Sequence, residues 1–184
     1  KEGVFRHPVS GPLMRGMKHI PVDREAGAAS FRAAVTALKQ GEIVGVFPEA
    51  TISRSFELKE FKSGTVRMAA SAGVPILPTV IWGSQRVWTK DHPKRLGRTG
   101  IPIVIAVGAP IAVARKDDFD AVNERLKSAM AELLDQAQRS YPQLQGAELK
   151  FVPARLGGTA PTPEQAARLD AEEAARRTAA GEAE

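Results

Sequence analysis

Val46-Phe47-Pro48-Glu49-Ala50-Thr51-Ile52-Ser53-Arg54-Ser55 sets a carboxylate, hydroxyls and a guanidinium at the end of an apolar run. The residues ahead of it predict a strand over 42–47 that buries Ile43, Val44, Val46 and Phe47. Pro48 stops that strand, because it has no amide proton for a ladder. Glu49 and Thr51 then project from the strand's C-terminal end, the edge at which open α/β sheets bind ligands.

Working outward, Phe31, Ala34, Val35 and Leu38 line one face of a helix expected over 28–40, closed by Gly41 in the manner of a C-terminal cap. A short strand is expected over 19–22. After Ser55 a polar excursion runs through Lys59 to a helix over 64–72, and strands follow near 76–82 and 103–107. Strands alternating with helices predict an α/β fold with a largely parallel sheet flanked by helices. Asp117 and Asp120 stand where they would cap a long helix whose stripe is Phe119, Val122, Leu126, Met130 and Leu133, ending before Pro142.

The two ends of the chain read differently. Phe5, Val9, Leu13 and Met17 recur every four residues with Arg6, Arg15 and Lys18 on other faces, a pattern able to rest on a membrane surface. Packing of that stripe on the sheet is the preferred reading. Beyond Pro153, Gly157-Gly158-Thr159-Ala160-Pro161-Thr162-Pro163 is linker-like, and the remainder is rich in Ala, Glu and Arg with Leu169 as its large aliphatic residue. The organisation expected is one domain over 1–152 and a mobile or marginally helical tail over 153–184.

Composition narrows the function classes. A length of 184 residues fits one domain with a buried core. The absence of cysteine excludes disulfides, thiolate nucleophiles and cysteine-ligated metals. The net charge is +5, but residues 1–152 carry 22 basic against 15 acidic side chains, a net of +7. Such a surface attracts phosphates, anionic lipid or nucleic acid; ordinary solubilising charge is the alternative. No nucleic-acid-binding motif accompanies the charge and aromatics are few, so nucleic acid is not an expected partner. The longest apolar stretch, residues 101–114, is interrupted by Pro102 and Pro110 and suits buried strand better than a membrane helix. Lys1 to Ile20 is broken by basic residues and prolines and does not read as a signal peptide.

Four blocks carry a resemblance. Ile20-Pro21-Val22-Asp23-Arg24, Phe47-Pro48-Glu49-Ala50-Thr51, Phe61-Lys62-Ser63-Gly64 and Val74-Pro75-Ile76-Leu77-Pro78 occur in the order found in the glycerolipid acyltransferase family, which includes the 1-acylglycerol-3-phosphate acyltransferases. The chain resembles that family over roughly residues 1–113. Its third motif usually reads Phe-Pro-Glu-Gly-Thr-Arg-Ser, so Ala50 stands here for glycine and Ile52 for arginine. The family's first motif, Asn-His-x-x-x-x-Asp, is not found. His7, His19 and His92 are the histidines, and none has aspartate five positions on. The chain is therefore expected to begin just after that motif, with the N-terminal part of the fold missing and no catalytic residue of its own.

The resemblance implies a glycerol-phosphate acyltransferase-like fold and transfer of a fatty acyl group from acyl-CoA or acyl carrier protein to lysophosphatidic acid or a related lysolipid. The product would be phosphatidic acid, made at the cytoplasmic face of the cell membrane. No cofactor and no metal is implied. Such transfer needs a base for the acceptor hydroxyl, donors for the oxyanion and positive charge for the acceptor's phosphate. Arg24 corresponds to the acceptor-phosphate arginine and can grip a phosphate bidentately; a surface salt bridge with Glu25 or Glu49 is the alternative. Glu49 corresponds to the glycerol-binding carboxylate, with Thr51 beside it; capping of a backbone turn is the competing role. Arg54 is the residue favoured to supply the charge that Ile52 lacks. Lys62, ahead of Gly64, places a cation at a helix start whose amides also favour anions. Lys1 is a further phosphate-site residue. A catalytically silent lipid-binding module remains the alternative to an enzyme.

Overall fold

The structure, a computed structural model, describes residues 5–21 and 27–181. They form two compact units. The first holds the described residues of 1–48 with 62–77 and 110–126; the second holds 49–61, 78–109 and the described residues of 127–184.

In the first unit the helices are α1 (Ser10–Gly16), α2 (Gly27–Lys39) and α3 (Gly64–Ala72). α2 packs on α3. Ala34 of α2 and Val66, Ala69 and Ala70 of α3 are buried, and side chains this small let the two helices approach closely. Gly41 and Gly73 take φ of +84° and +73° beyond the two helix ends, the left-handed turn that glycine adopts without a Cβ clash. Both helices match the expected spans to within one residue. Ile76 and Ile111 exchange both backbone hydrogen bonds in an isolated antiparallel bridge.

The long helix α4 (Phe119–Ser140) contributes 119–126 to the first unit, with Val122 and Leu126 buried, and 127–140 to the second. Its cap differs from expectation. Asp118 Oδ1 accepts from the backbone N–H groups of Asp120 (3.0 Å) and Ala121 (3.3 Å), while Asp117 turns back to accept from Ala114.

Two expectations are overturned in this unit. Residues 42–47 form no strand, and neither do 19–21; Val22 lies outside the described residues. Ile43 is 93% and Phe47 83% exposed. Apolar alternation marks a segment that can pair, and no ladder partner lies beside 42–47 among the described residues. The stripe of Val9, Leu13 and Met17 does not pack on a sheet either: all three are exposed.

The second unit contains β1 (Thr79–Trp82) and β2 (Val104–Val107), paired antiparallel with Trp82 opposite Val104 and Thr79 opposite Val107. The pairing among the described strands is thus antiparallel, where a largely parallel sheet was expected. Val80 and Trp82 point inward to Leu134, Ala137 and Tyr141, with Phe56 and Phe151 completing the core. Trp82 meets Tyr141 edge to face at 6.4 Å, and the Tyr141 hydroxyl donates to the Pro102 carbonyl at 2.8 Å. Gly83, at φ +100°, passes so close to that carbonyl that a Cβ would lie 2.3 Å from it.

The tail expected to be mobile or marginally helical includes a helix, α5 (Pro163–Gly181), within the second unit. Thr162 starts it: its hydroxyl accepts from the Gln165 N–H while the Gln165 side chain accepts from the Thr162 N–H. No helix among the described residues is long and apolar enough to cross a membrane.

Candidate functional site

Glu49 sits in the turn that follows Pro48. Its Oε2 accepts from the backbone N–H of Lys59 at 3.0 Å, which closes the excursion 49–59 on itself. Burial pushes the Glu49 carboxyl above its ordinary range, and the bond from Lys59 and that residue's charge offset only part of the rise. A half-buried carboxylate with a single amide donor retains acceptor capacity on its other oxygen. Thr51 is exposed.

Ala50 has φ of +57°. An L-residue is strained there and glycine is not, so the backbone of the turn accounts for glycine in the family's motif. The turn keeps that shape here without the glycine. Ile52, half exposed at the position of the family's arginine, borders a cavity of about 530 Å³ with Ser84, Val87, Trp88 and Ile103. Trp88 is exposed and carries the Lys94 ammonium 4.1 Å above its ring. Position 52 therefore supplies apolar surface.

Arg54 is buried, 7% exposed, and its guanidinium faces three carboxylates. Nε donates to Asp91 at 2.5 Å, Nη1 to Asp170 and Nη2 to Glu173 at 2.9 Å. Lys59 also donates to Asp170, and Lys90 reaches Asp170 at 3.0 Å and Glu173 at 3.1 Å. The bond to Asp91 above all, then those to α5, hold the Arg54 pKa above the ordinary arginine value against the opposing effect of burial. Burial works against the Asp170 charge as well, but Lys59 and Lys90 outweigh it and keep that carboxyl below the usual aspartate range. Sequence reasoning named Arg54 and missed its partners; Asp170 is 116 residues away, and no local pattern marks such a pair.

Neighbouring hydroxyls are tied up in the same turn. Ser53 and Ser55 hydrogen-bond each other at 3.1 Å, and Ser55 Oγ accepts from the Glu57 N–H. In the first unit, the Lys62 N–H donates to the Pro48 carbonyl at 2.9 Å and its side chain is exposed. Gly64 is the first residue of α3, after Ser63, and an added Cβ there would meet nothing within 4 Å. The structure thus groups Glu49, Thr51 and Arg54 in the second unit and Lys62 with Gly64 in the first. Arg24 and Lys1 lie outside the described residues.

Residues 1–82 match the family model described as Acyltransferase. A 1-acyl-sn-glycerol-3-phosphate acyltransferase of Bacillus subtilis is 32% identical over 139 residues, covering 74% of this chain and 63% of that protein. Proteins of the same name from Borreliella burgdorferi and Limnanthes douglasii are 28% and 34% identical over 100 and 94 residues, 54% and 49% of this chain and 38% and 34% of theirs. The chain thus spans between about a third and two thirds of the length of these relatives. Among solved structures, the 1-acyl-sn-glycerophosphate (LPA) acyltransferase PlsC of Thermotoga maritima superposes with a TM-score of 0.62 at 20% identity, covering 77% of this chain and 56% of that one. At that identity the likeness establishes the fold, which is α/β. The family model falls on all four ordered blocks and several relatives of one name agree, and these findings support the glycerolipid acyltransferase family.

Proposed function

We propose that this chain carries the acceptor-binding part of an acyltransferase that moves a fatty acyl group from acyl-CoA or acyl carrier protein to the sn-2 hydroxyl of 1-acylglycerol-3-phosphate, giving phosphatidic acid. The observation that carries the reading is Glu49: a half-buried carboxylate, unfavourably desolvated, held by one backbone amide in the turn that matches the family's third motif. A carboxylate kept against its own solvation is more useful toward a ligand than toward stability.

In this reading Glu49, with Thr51 beside it, orients the glycerol hydroxyls, and the resemblance assigns the acceptor's phosphate to Arg24, with Lys62, Gly64 and Lys1 as further phosphate-site residues. The base that the resemblance implies is the histidine of a His-x-x-x-x-Asp block, which these 184 residues do not contain. It takes the proton of the acceptor hydroxyl as the oxygen attacks the thioester carbonyl; the tetrahedral intermediate then expels the thiolate, which receives a proton. The exposed Val9, Leu13 and Met17, with Arg15 and Lys18 alongside, fit contact with an anionic membrane surface and support a reading in which the enzyme works at the cytoplasmic face of the cell membrane.

The test is release of free CoA by the protein translated from its complete reading frame, given acyl-CoA and lysophosphatidic acid. Arg24→Ala is expected to raise the acceptor KM and weaken transition-state binding by about 1.5–3 kcal/mol, the value of a charged hydrogen bond. Equal kinetics in the two proteins would remove Arg24 from the site. Lysolipid binding without any CoA release would favour the catalytically silent module, which the lack of His-x-x-x-x-Asp within these 184 residues keeps in view.

A further inference from the structure

Three cations of the second unit converge on one helix. Arg54 and Lys59 belong to the 49–61 excursion and Lys90 follows β1; all three donate to Asp170 of α5, and Arg54 and Lys90 also donate to Glu173. Asp91, the remaining carboxylate of the cluster, comes from the same loop as Lys90. Without α5 the cluster would hold three positive charges and one negative charge, and α5 supplies the two that balance it. The side chains concerned are sheltered, at 6% exposure for Arg54, 31% for Lys59 and 21% for Lys90, so the imbalance could not be left to solvent.

α5 has little else to hold it. Ala166 is its one buried apolar side chain among the described residues, and Leu169 is 37% exposed. A single buried alanine removes little apolar surface from water, so the attachment of the helix is chiefly ionic. An ionic attachment can be replaced by another dianion with the right oxygens.

We infer that Arg54, Lys59 and Lys90 form an anion site that α5 covers with its own carboxylates, and that a phosphomonoester displaces the helix. Such a group brings nearly two negative charges and three acceptor oxygens, the same charge as Asp170 and Glu173 together. Lys59 links the site to the motif turn: its ammonium binds Asp170 while its backbone N–H binds Glu49. Lifting α5 therefore frees the side chain of the residue that fixes the Glu49 carboxylate. The phosphate could be borne by a lipid headgroup or be free in solution. The site stands independently of the acyl-transfer reading, and its test needs no acyl donor.

The test is hydrogen exchange across residues 163–181 in the full chain, with inorganic phosphate compared with chloride at equal ionic strength. Phosphate is expected to speed exchange in α5 about tenfold over chloride, and Lys90→Gln is expected to abolish the difference. Vesicles of phosphatidylcholine with and without phosphatidic acid form the second arm. A larger effect of the phosphatidic acid vesicles than of phosphate assigns the site to lipid headgroups, and an equal or smaller one to free phosphate. The double variant Asp170→Asn with Glu173→Gln is expected to exchange fast in α5 with no further response to phosphate. Wild-type exchange that is unmoved by phosphate, or moved equally by chloride, overturns the inference, as does full α5 protection in the double variant.

Discussion

Residues 42–47 and 49–61 lie on either side of Pro48 and meet opposite fates. The first stretch is apolar, yet Ile43 and Phe47 are almost wholly exposed; the second is polar, yet it buries Arg54, Ser55 and Phe56. The difference lies in partners. Each buried polar group of the excursion has a neighbour of matching chemistry: Arg54 three carboxylates, Glu49 a backbone amide, Ser55 a second hydroxyl. The stretch before Pro48 has hydrophobicity but no strand beside it among the described residues. Burial follows the availability of a partner, and hydrophobicity alone does not secure it.

The largest expected effect tests the partnered side of that contrast. Arg54→Ala would leave Asp91, Asp170 and Glu173 facing one another around a cavity, and a loss of about 3–5 kcal/mol is expected in urea unfolding, as when one member of a buried ionic group is removed. A loss below about 1 kcal/mol would place the network among surface ion pairs of little weight.

An acid titration sharpens the same point. Asp170 has a carboxyl pKa held below its unfolded value, so its ion pairs contribute fully at and above the ordinary carboxylate range and are lost as pH falls through the lowered value. Exchange protection of α5 is therefore expected to persist from neutral pH to about pH 4 and to fall below it. Loss of protection already near neutrality would show that the carboxylates do not hold the helix.

Ala50→Gly is a smaller and opposite change. Removing the Cβ from a residue at φ +57° relieves strain, and the loss of chain stiffness in the unfolded state takes back part of the gain. A net stabilisation of about 0.5–1 kcal/mol is expected from the urea midpoint. A destabilised variant would mean that the turn does not hold its left-handed geometry in solution.

Much of this molecule was legible in its sequence, unevenly. α2, α3 and α4 could be read because helix periodicity and glycine stops are local: Gly41 and the stripe from Val122 to Leu126 behave as their spacing suggests. The motif blocks pointed to the family that the comparisons support. Strand pairing was not legible at 42–47, since a strand exists only with a neighbour. The anchoring of α5 was hidden for a related reason. Its composition lacks the large apolar residues that signal packing, and what holds it is charge presented by residues 80 to 119 positions away. The cap of α4 was missed by one residue, because three aspartates in four positions offer the same side chain and only backbone direction selects Asp118.

The most direct measurement is Glu49→Gln in the complete protein, scored for both acyl transfer and stability. Glutamine keeps an oxygen to accept the Lys59 N–H and carries no charge for burial to oppose, so thermal stability is expected to be unchanged or higher. The kcat/KM for lysophosphatidic acid is expected to fall roughly thirtyfold, about 2 kcal/mol of transition-state binding. Full activity in a destabilised variant would contradict a ligand-binding role for Glu49 and leave it as a turn residue.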